Sequence, residues 1–326
     1  MTTFEKVLVP TDFSPYADYA LDYARALVNP AGGEIHFVHV VPDQLHVPTR
    51  GPEGAYLVGD ALNSVRAAIN EHAEARLETL VLRAEGMGLK AQSHLLQGDA
   101  SEEIADLSSK LAPDLLIVAT HGHSPFREWA VGSTCDKIVR LSPIPVLAIK
   151  HPEREFVAGL DPTVNLKKVL CPCDFSEFSQ EAVPIAVDLC RRFDASLILE
   201  HIVDNRTDYS TFYPAYAMHI SPQLLQSSRE MLEGIASKYK DLNVECRVNV
   251  GIPMPSLLES VDTEDISLVV MSTHGRSGIR RAFLGSVTER LIQKAACPVL
   301  TVRPEAYRKQ LASTATSVRE AAVSTS

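Results

Sequence analysis

The chain has 326 residues, 45% hydrophobic and 22% charged, which is ordinary globular usage with material for about two domains. Its 41 acidic and 31 basic residues leave a net charge of −10, which argues against a general nucleic-acid-binding role but not against a local basic pocket. No apolar run approaches the roughly 20 residues that span a bilayer.

In chain order, Lys6–Pro10 reads as a short strand ending at a turn. Ser14 is the expected N-cap of a helix from Tyr16 to Leu27, with Pro15 at its first position. A strand over Glu34–Val41, a long amphipathic helix over Leu62–Glu85 and a strand over Ala91–Leu96 follow. The spacing then predicts a helix over Ser101–Leu111, an apolar strand over Leu115–Thr120, a helix over Ser133–Leu141 and a last strand over Pro145–Ile149.

The order then repeats. Lys6-Val-Leu-Val-Pro-Thr-Asp-Phe-Ser14 matches Lys168-Val-Leu-Cys-Pro-Cys-Asp-Phe-Ser176, and His39-Val-Val41 matches His201-Ile-Val203, both 162 residues further on. Thr120-His-Gly122 matches Thr273-His-Gly275, and Gly132-Ser133 matches Gly285-Ser286, 153 residues further on. Such a period is a whole domain rather than a solenoid unit. The expected organisation is a domain over 1–150, a polar linker over 151–165, a second domain over 166–305 and a Ser/Thr/Ala-rich tail over 306–326. Unbroken apolar strands such as Leu115-Leu-Ile-Val-Ala119 and Leu268-Val-Val-Met271 suit a parallel sheet covered on both faces. The fold class is therefore α/β, two tandem doubly wound parallel-sheet domains.

In such sheets ligands bind beyond the C-terminal strand ends, where strand order reverses. Two segments of each copy meet there. One is the turn Pro10-Thr11-Asp12, or Pro172-Cys173-Asp174; the other is the glycine loop after the fourth strand. In copy one, Ala119-Thr-His-Gly122 is followed by nine residues and Gly132-Ser133-Thr134. In copy two, Ser272-Thr-His-Gly275 is followed by nine residues and Gly285-Ser286-Val287. Glycines that allow close backbone approach, followed by the free N–H groups of a helix start, make a cradle for phosphate. Arg276, Arg280 and Arg281 add positive charge near the second loop.

Each feature also has a plain structural explanation. Asp12 and Asp174 serve equally as Asx-turn residues, and a Gly–Ser pair is a common helix start. His121 and His274 read as loop-ordering rather than catalytic. Cys171, Cys173, Cys190 and His201 read as packing rather than a metal cluster, and the six cysteines as reduced thiols. Histidines 36, 39 and 46 are assigned no role. No P-loop, nucleophile elbow or zinc motif is present in the sequence.

The motifs K-V-L-x-P-x-D-F-S, H-[VI]-V, T-H-G and G-S, twice in the same order, resemble the universal stress protein family over nearly the whole chain. The resemblance implies Rossmann-like domains of the adenine nucleotide alpha hydrolase type. It implies that the last strands of the two copies pair antiparallel, packing them as an intrachain pseudo-dimer, with homodimerisation left open. It implies ATP as ligand, with Mg²⁺ or Mn²⁺ held by the phosphates rather than by a protein metal site. On the matched positions, Asp12 and Asp174 meet the adenosine part, and the backbones of Val40 and Ile202 read adenine. Gly122, Gly132 and Ser133, like Gly275, Gly285 and Ser286, fall on phosphate-loop positions. The sequence departs from the family's loop at its first glycine, which is Ala119 in copy one and Ser272 in copy two.

The functional expectation is an ATP-binding stress-response or signalling protein, cytoplasmic, whose ligand state alters binding to a protein partner. A non-nucleotide-binding interaction protein with vestigial sites is the alternative. A slow ATP hydrolase has the least support, because no evident base faces the γ-phosphate and no catalytic residue is assigned.

Overall fold

The computed structural model describes residues 4–43, 60–120, 133–150, 155–158, 163–205, 221–275 and 284–305. Among the described residues no helix is long and apolar enough to cross a membrane. The first half comprises β1 (Lys6–Pro10), α1 (Pro15–Leu27), β2 (Glu34–Val41), α2 (Asp60–Gly86), β3 (Lys90–Gln97), α3 (Ala100–Leu111), β4 (Leu115–Ala119), α4 (Ser133–Leu141) and β5 (Val146–Ile149). A short antiparallel pair, β6 (Val157–Ala158) with β7 (Thr163–Val164), leads into the second half. That half comprises β8 (Lys168–Pro172), α5 (Glu177–Gln180), α6 (Ala182–Phe193), β9 (Ser196–Asp204), α7 (Pro222–Ala236), β10 (Val244–Gly251), α8 (Pro253–Thr263), β11 (Leu268–Ser272), α9 (Ser286–Lys294) and β12 (Val299–Val302).

Local chemistry sets these boundaries. Ser14 caps α1 by accepting from the Ala17 N–H, with Pro15 in the first turn. Asp99 caps α3 by accepting from Ser101 and Glu102. In the second half the helix after the first strand is interrupted at Glu181, giving α5 and then α6. The cause is Pro184, which has no N–H to return to the Gln180 carbonyl; the first half keeps its proline at the helix start instead.

Ten strands form one sheet in the order β10-β9-β8-β11-β12-β5-β4-β1-β2-β3. Each half contributes the doubly wound order 3-2-1-4-5, all parallel. The halves meet where β12 pairs antiparallel with β5, with Leu300 opposite Leu147. The expected intrachain pseudo-dimer is therefore one continuous sheet. One apolar cluster lies under α1, α2, α6 and α7, the other under α3, α4, α8 and α9. The connector is less polar than its composition suggests. Phe156 is 1% exposed and meets Tyr23 edge-on at 4.9 Å. Burying such a ring contributes about 1.5–3 kcal/mol.

Cys171 and Cys190 lie buried in the core, and burial pushes the Cys190 thiol up to about 12. Cys173 lies beside Ser179 at 3.7 Å. No cluster of His, Cys, Asp and Glu among the described residues is arranged to hold a metal ion.

Candidate functional site

Strand order reverses between β1 and β4 in the first half and between β8 and β11 in the second, so each half has a crevice at those strand ends. The turn beside the crevice is built alike in both. Asp12 Oδ1 accepts from the Ser14 N–H at 2.9 Å, and Asp174 Oδ1 from the Ser176 N–H at 3.0 Å. These are the Asx turns that local sequence allows. Between them, Phe13 and Phe175 take positive φ values of 61° and 65°. A non-glycine residue held there costs on the order of 1–3 kcal/mol, and such strain gathers at functional turns.

The strained turns are locked by residues to which the sequence assigned no role in the turn. His39 Nδ1 lies 2.8 Å from the Thr11 carbonyl, and its ring lies tilted by 30° against Phe13, with centroids 4.3 Å apart. His201 Nδ1 lies 2.7 Å from the Cys173 carbonyl, and its ring meets Phe175 at 4.3 Å. The signal was available: both histidines recur at the same place in the repeat. His201 is thus a turn lock. Burial pushes the His39 ring below its ordinary value, which favours the neutral form.

Val40 and Ile202 sit at the crevice rim. The Val38 carbonyl accepts from the Thr11 N–H at 2.9 Å, and β1 pairs no further along β2 than Pro10 with Val38. Peptide groups alternate sides along a parallel strand, so Val40 aims its N–H and C=O the same way, past the end of β1. Ile202 stands likewise beyond Glu200, whose carbonyl accepts from the Cys173 N–H at 2.8 Å. Each rim thus offers an adjacent backbone donor and acceptor.

In the second half the turn and the glycine loop touch. A Cβ built on Gly275 would lie 2.5 Å from Asp174 Oδ2, so a side chain there would force the carboxylate to shift. The far end of the loop is tied back to its start. The Gly285 N–H donates to the Thr273 carbonyl at 2.9 Å, and Thr288 Oγ1 to the Ser272 carbonyl at 3.0 Å. Gly285 caps α9, whose first turn presents Ser286, exposed, and Val287, half-buried. Ser272, at the first-glycine position, is 5% exposed and its hydroxyl accepts from the His274 N–H at 3.3 Å. Its side chain is bound within the loop base. His274 is buried, with Nδ1 2.9 Å from Thr273 Oγ1, and burial with nearby Arg303 holds its ring below the ordinary value.

In the first half Pro10, Thr11, Asp12 and Ala119 gather at the equivalent crevice, with Thr11 Oγ1 accepting from the Phe13 N–H at 2.9 Å. Pro172 holds the place of Pro10 in the second half. Ser133 opens α4 and Thr134 is exposed in its first turn. His121, Gly122, Gly132, Arg276, Arg280 and Arg281 lie outside the described residues, as do residues 306–326.

Fold and crevices define a tandem, Rossmann-like α/β protein. A model of the universal stress protein family matches it twice, over residues 3–150 and 165–303. A universal stress protein of Methanocaldococcus jannaschii is 31% identical over 139 residues, 42% of this chain and 82% of that one. One from Mycolicibacterium smegmatis is 26% identical over 299 residues, 91% of this chain and 97% of the other. The crystal structure of a universal stress protein from Archaeoglobus fulgidus superposes with a TM-score of 0.65 at 20% identity, covering 93% of this chain and 99% of that one. The chain belongs to the universal stress protein family, as a tandem two-domain member.

Proposed function

We propose that this protein binds an adenine nucleotide, ATP in the first instance, in the crevice of each half, and that occupancy alters its binding to a protein partner. The observation that carries this reading is the contact of Gly275 with Asp174, which brings the adenosine-side turn against the glycine loop at the switch point. The Val40 and Ile202 rims supply the base-reading edge. The α9 N-terminus, with Gly285 and Ser286, supplies the anion end, and the first turn of α4 its counterpart. Mg²⁺ or Mn²⁺ would ride on the phosphates, since no carboxylate cluster among the described residues is arranged to hold a metal ion. The domains would run over 1–150 and 166–305.

Calorimetric titration with ATP and Mg²⁺ tests the proposal. Saturable binding that Asp174→Ala and Gly285→Asp each weaken at the second site supports it. No heat from a folded sample at millimolar ATP would sink it and leave the vestigial-site alternative.

A further inference from the structure

The two crevices differ in what holds the strand ends that frame them. In the first half, helix α2 carries two arginines that reach the chain beyond the sheet. Arg76 Nη2 donates to the Phe13 carbonyl at 3.0 Å, and its guanidinium lies over the Phe13 ring, 4.6 Å from the centroid. Arg66 Nη2 donates to the Asp43 carbonyl at 2.9 Å, three residues past Val40. At the usual helical rise the two arginines stand about 15 Å apart along the axis. One grips the strained turn after β1, and the other grips the segment after β2.

Phe13 is thereby held at both backbone polar groups, its N–H by Thr11 Oγ1 at 2.9 Å and its carbonyl by Arg76. The charged hydrogen bond and the cation over the ring stabilise a φ of 61° that phenylalanine otherwise avoids. The second half has no such grip from its long helix. Buried Ala73 and Leu77 of α2 match Ser228 and Leu232 of α7, and half-buried Leu80 and Val81 match Ile235 and Ala236, all 155 residues further on. In that register Arg76 falls on Met231, which is exposed, and Arg66 falls on Ser221. Cys173 stands where the first half has Thr11. The Phe175 carbonyl accepts instead from Gln180 Nε2 at 3.4 Å, and the Asp174 N–H donates to Ser179 Oγ at 3.3 Å, both from the short α5 that follows the turn. The first turn is anchored from α2, and the second from its own neighbouring residues.

We propose that Arg76, assisted by Arg66, is a positioning residue of the first nucleotide site and has no counterpart in the second. The inference rests on the nucleotide reading above. Arg76 acts through Phe13: it fixes the turn that carries Asp12 towards the nucleoside. Arg66 acts through the Asp43 carbonyl and steadies the chain that continues the Val40 rim. Without Arg76 the positive φ of Phe13 loses its external support, so the nucleotide itself has to hold the turn, and affinity falls by the cost of that ordering. The loss is one-sided because Met231 holds nothing equivalent in the second half.

The test is calorimetric titration of the full chain with ATP and Mg²⁺, one site at a time. Gly285→Asp closes the second site and leaves the first to be read; its φ of −58° accepts a side chain. Ser133→Asp closes the first by setting an anion at the start of α4. In the Gly285→Asp chain, Arg76→Met is expected to weaken binding about tenfold, the low end for losing a hydrogen bond to a charged group. Arg76→Lys, which keeps a charged donor, restores part of the affinity, and Arg66→Met weakens the same site. In the Ser133→Asp chain, Arg76→Met leaves the second site's affinity unchanged, which a general loss of structure would not do. Unchanged first-site affinity in both Arg76→Met and Arg76→Lys, or equal weakening of the two sites, overturns the positioning role and leaves the nucleotide reading standing. So does a Gly285→Asp chain that binds nothing while the Ser133→Asp chain binds. An effect of Arg76→Met without one of Arg66→Met strikes Arg66 from the role. Failure of both single-site chains to bind overturns the nucleotide reading itself.

Discussion

Gly275 lies so close to Asp174 that a Cβ placed on it would meet the carboxylate Oδ2 at 2.5 Å. The pair joins two segments about a hundred residues apart in sequence, the turn after β8 and the loop after β11, at the point where strand order reverses. Gly275→Ala is expected to destabilise the protein by about 1–3 kcal/mol, the usual range for a forced overlap. Asp174→Ala in the same chain should return part of that loss. Urea denaturation of the two single variants and the double variant measures the coupling; strictly additive effects would mean that the two residues do not press on each other.

Glu200 carries a pH prediction. It is 1% exposed, with Oε1 accepting from Asn249 at 2.6 Å and Ser260 at 2.8 Å, while Oε2 has no hydrogen-bond partner among the described residues. Burial raises its carboxyl above the ordinary value, against the smaller effect of the Ser260 and Asn249 hydrogen bonds. A folded-state value above the unfolded one means that the neutral acid is favoured in the fold. The stability it contributes is present below the unfolded value and lost as pH rises through the folded one. Wild type should therefore lose stability relative to Glu200→Gln as pH rises out of the ordinary carboxylate range towards neutrality. Urea midpoints for both proteins across that range check the sign, and a wild type that gains stability relative to Glu200→Gln as pH rises would contradict it.

Arg192 reaches across the two halves. Its guanidinium donates to the Ala26 carbonyl at 3.1 Å, to the Val28 carbonyl at 2.9 Å and to the Leu27 carbonyl, closing the C-terminal end of α1 from α6. Arg192→Met keeps the stem and removes the donors. It should cost about 1.5–3 kcal/mol, typical for hydrogen bonds to a charged group, and Arg192→Lys should restore part of it. Thermal unfolding of the three proteins decides, and an unchanged midpoint in Arg192→Met would show that the cap is idle.

Much of this architecture was legible in the chain. The recurrence of Lys6–Ser14 at Lys168–Ser176 fixed the tandem plan, and the unbroken apolar runs at Leu115 and Leu268 fixed the parallel sheet. The pairing of β5 with β12 followed from the family resemblance. Less legible were features that depend on long-range contact. The break that Pro184 makes between α5 and α6 is by contrast local, and only the faithful repeat of the motif before it hides it. Phe156 looks like an isolated ring in a polar connector and is buried in the apolar core, edge-on to Tyr23. His39 and His201 have no local partner in sequence; they lock the turns because β2 and β9 lie beside β1 and β8. Lys150 donates to the Gln293 carbonyl and Arg303 to the Arg140 carbonyl, exchanges between the halves that are visible only once the sheet is continuous.

The central claim is nucleotide occupancy of the crevices formed by the Asp174 turn and its first-half counterpart. Native mass spectrometry of freshly purified protein, before and after incubation with millimolar ATP and Mg²⁺, tests it most directly. Mass increments of one and two adenine nucleotides are expected, with the second lost in Gly285→Asp. A folded chain that carries no nucleotide under either condition would contradict it.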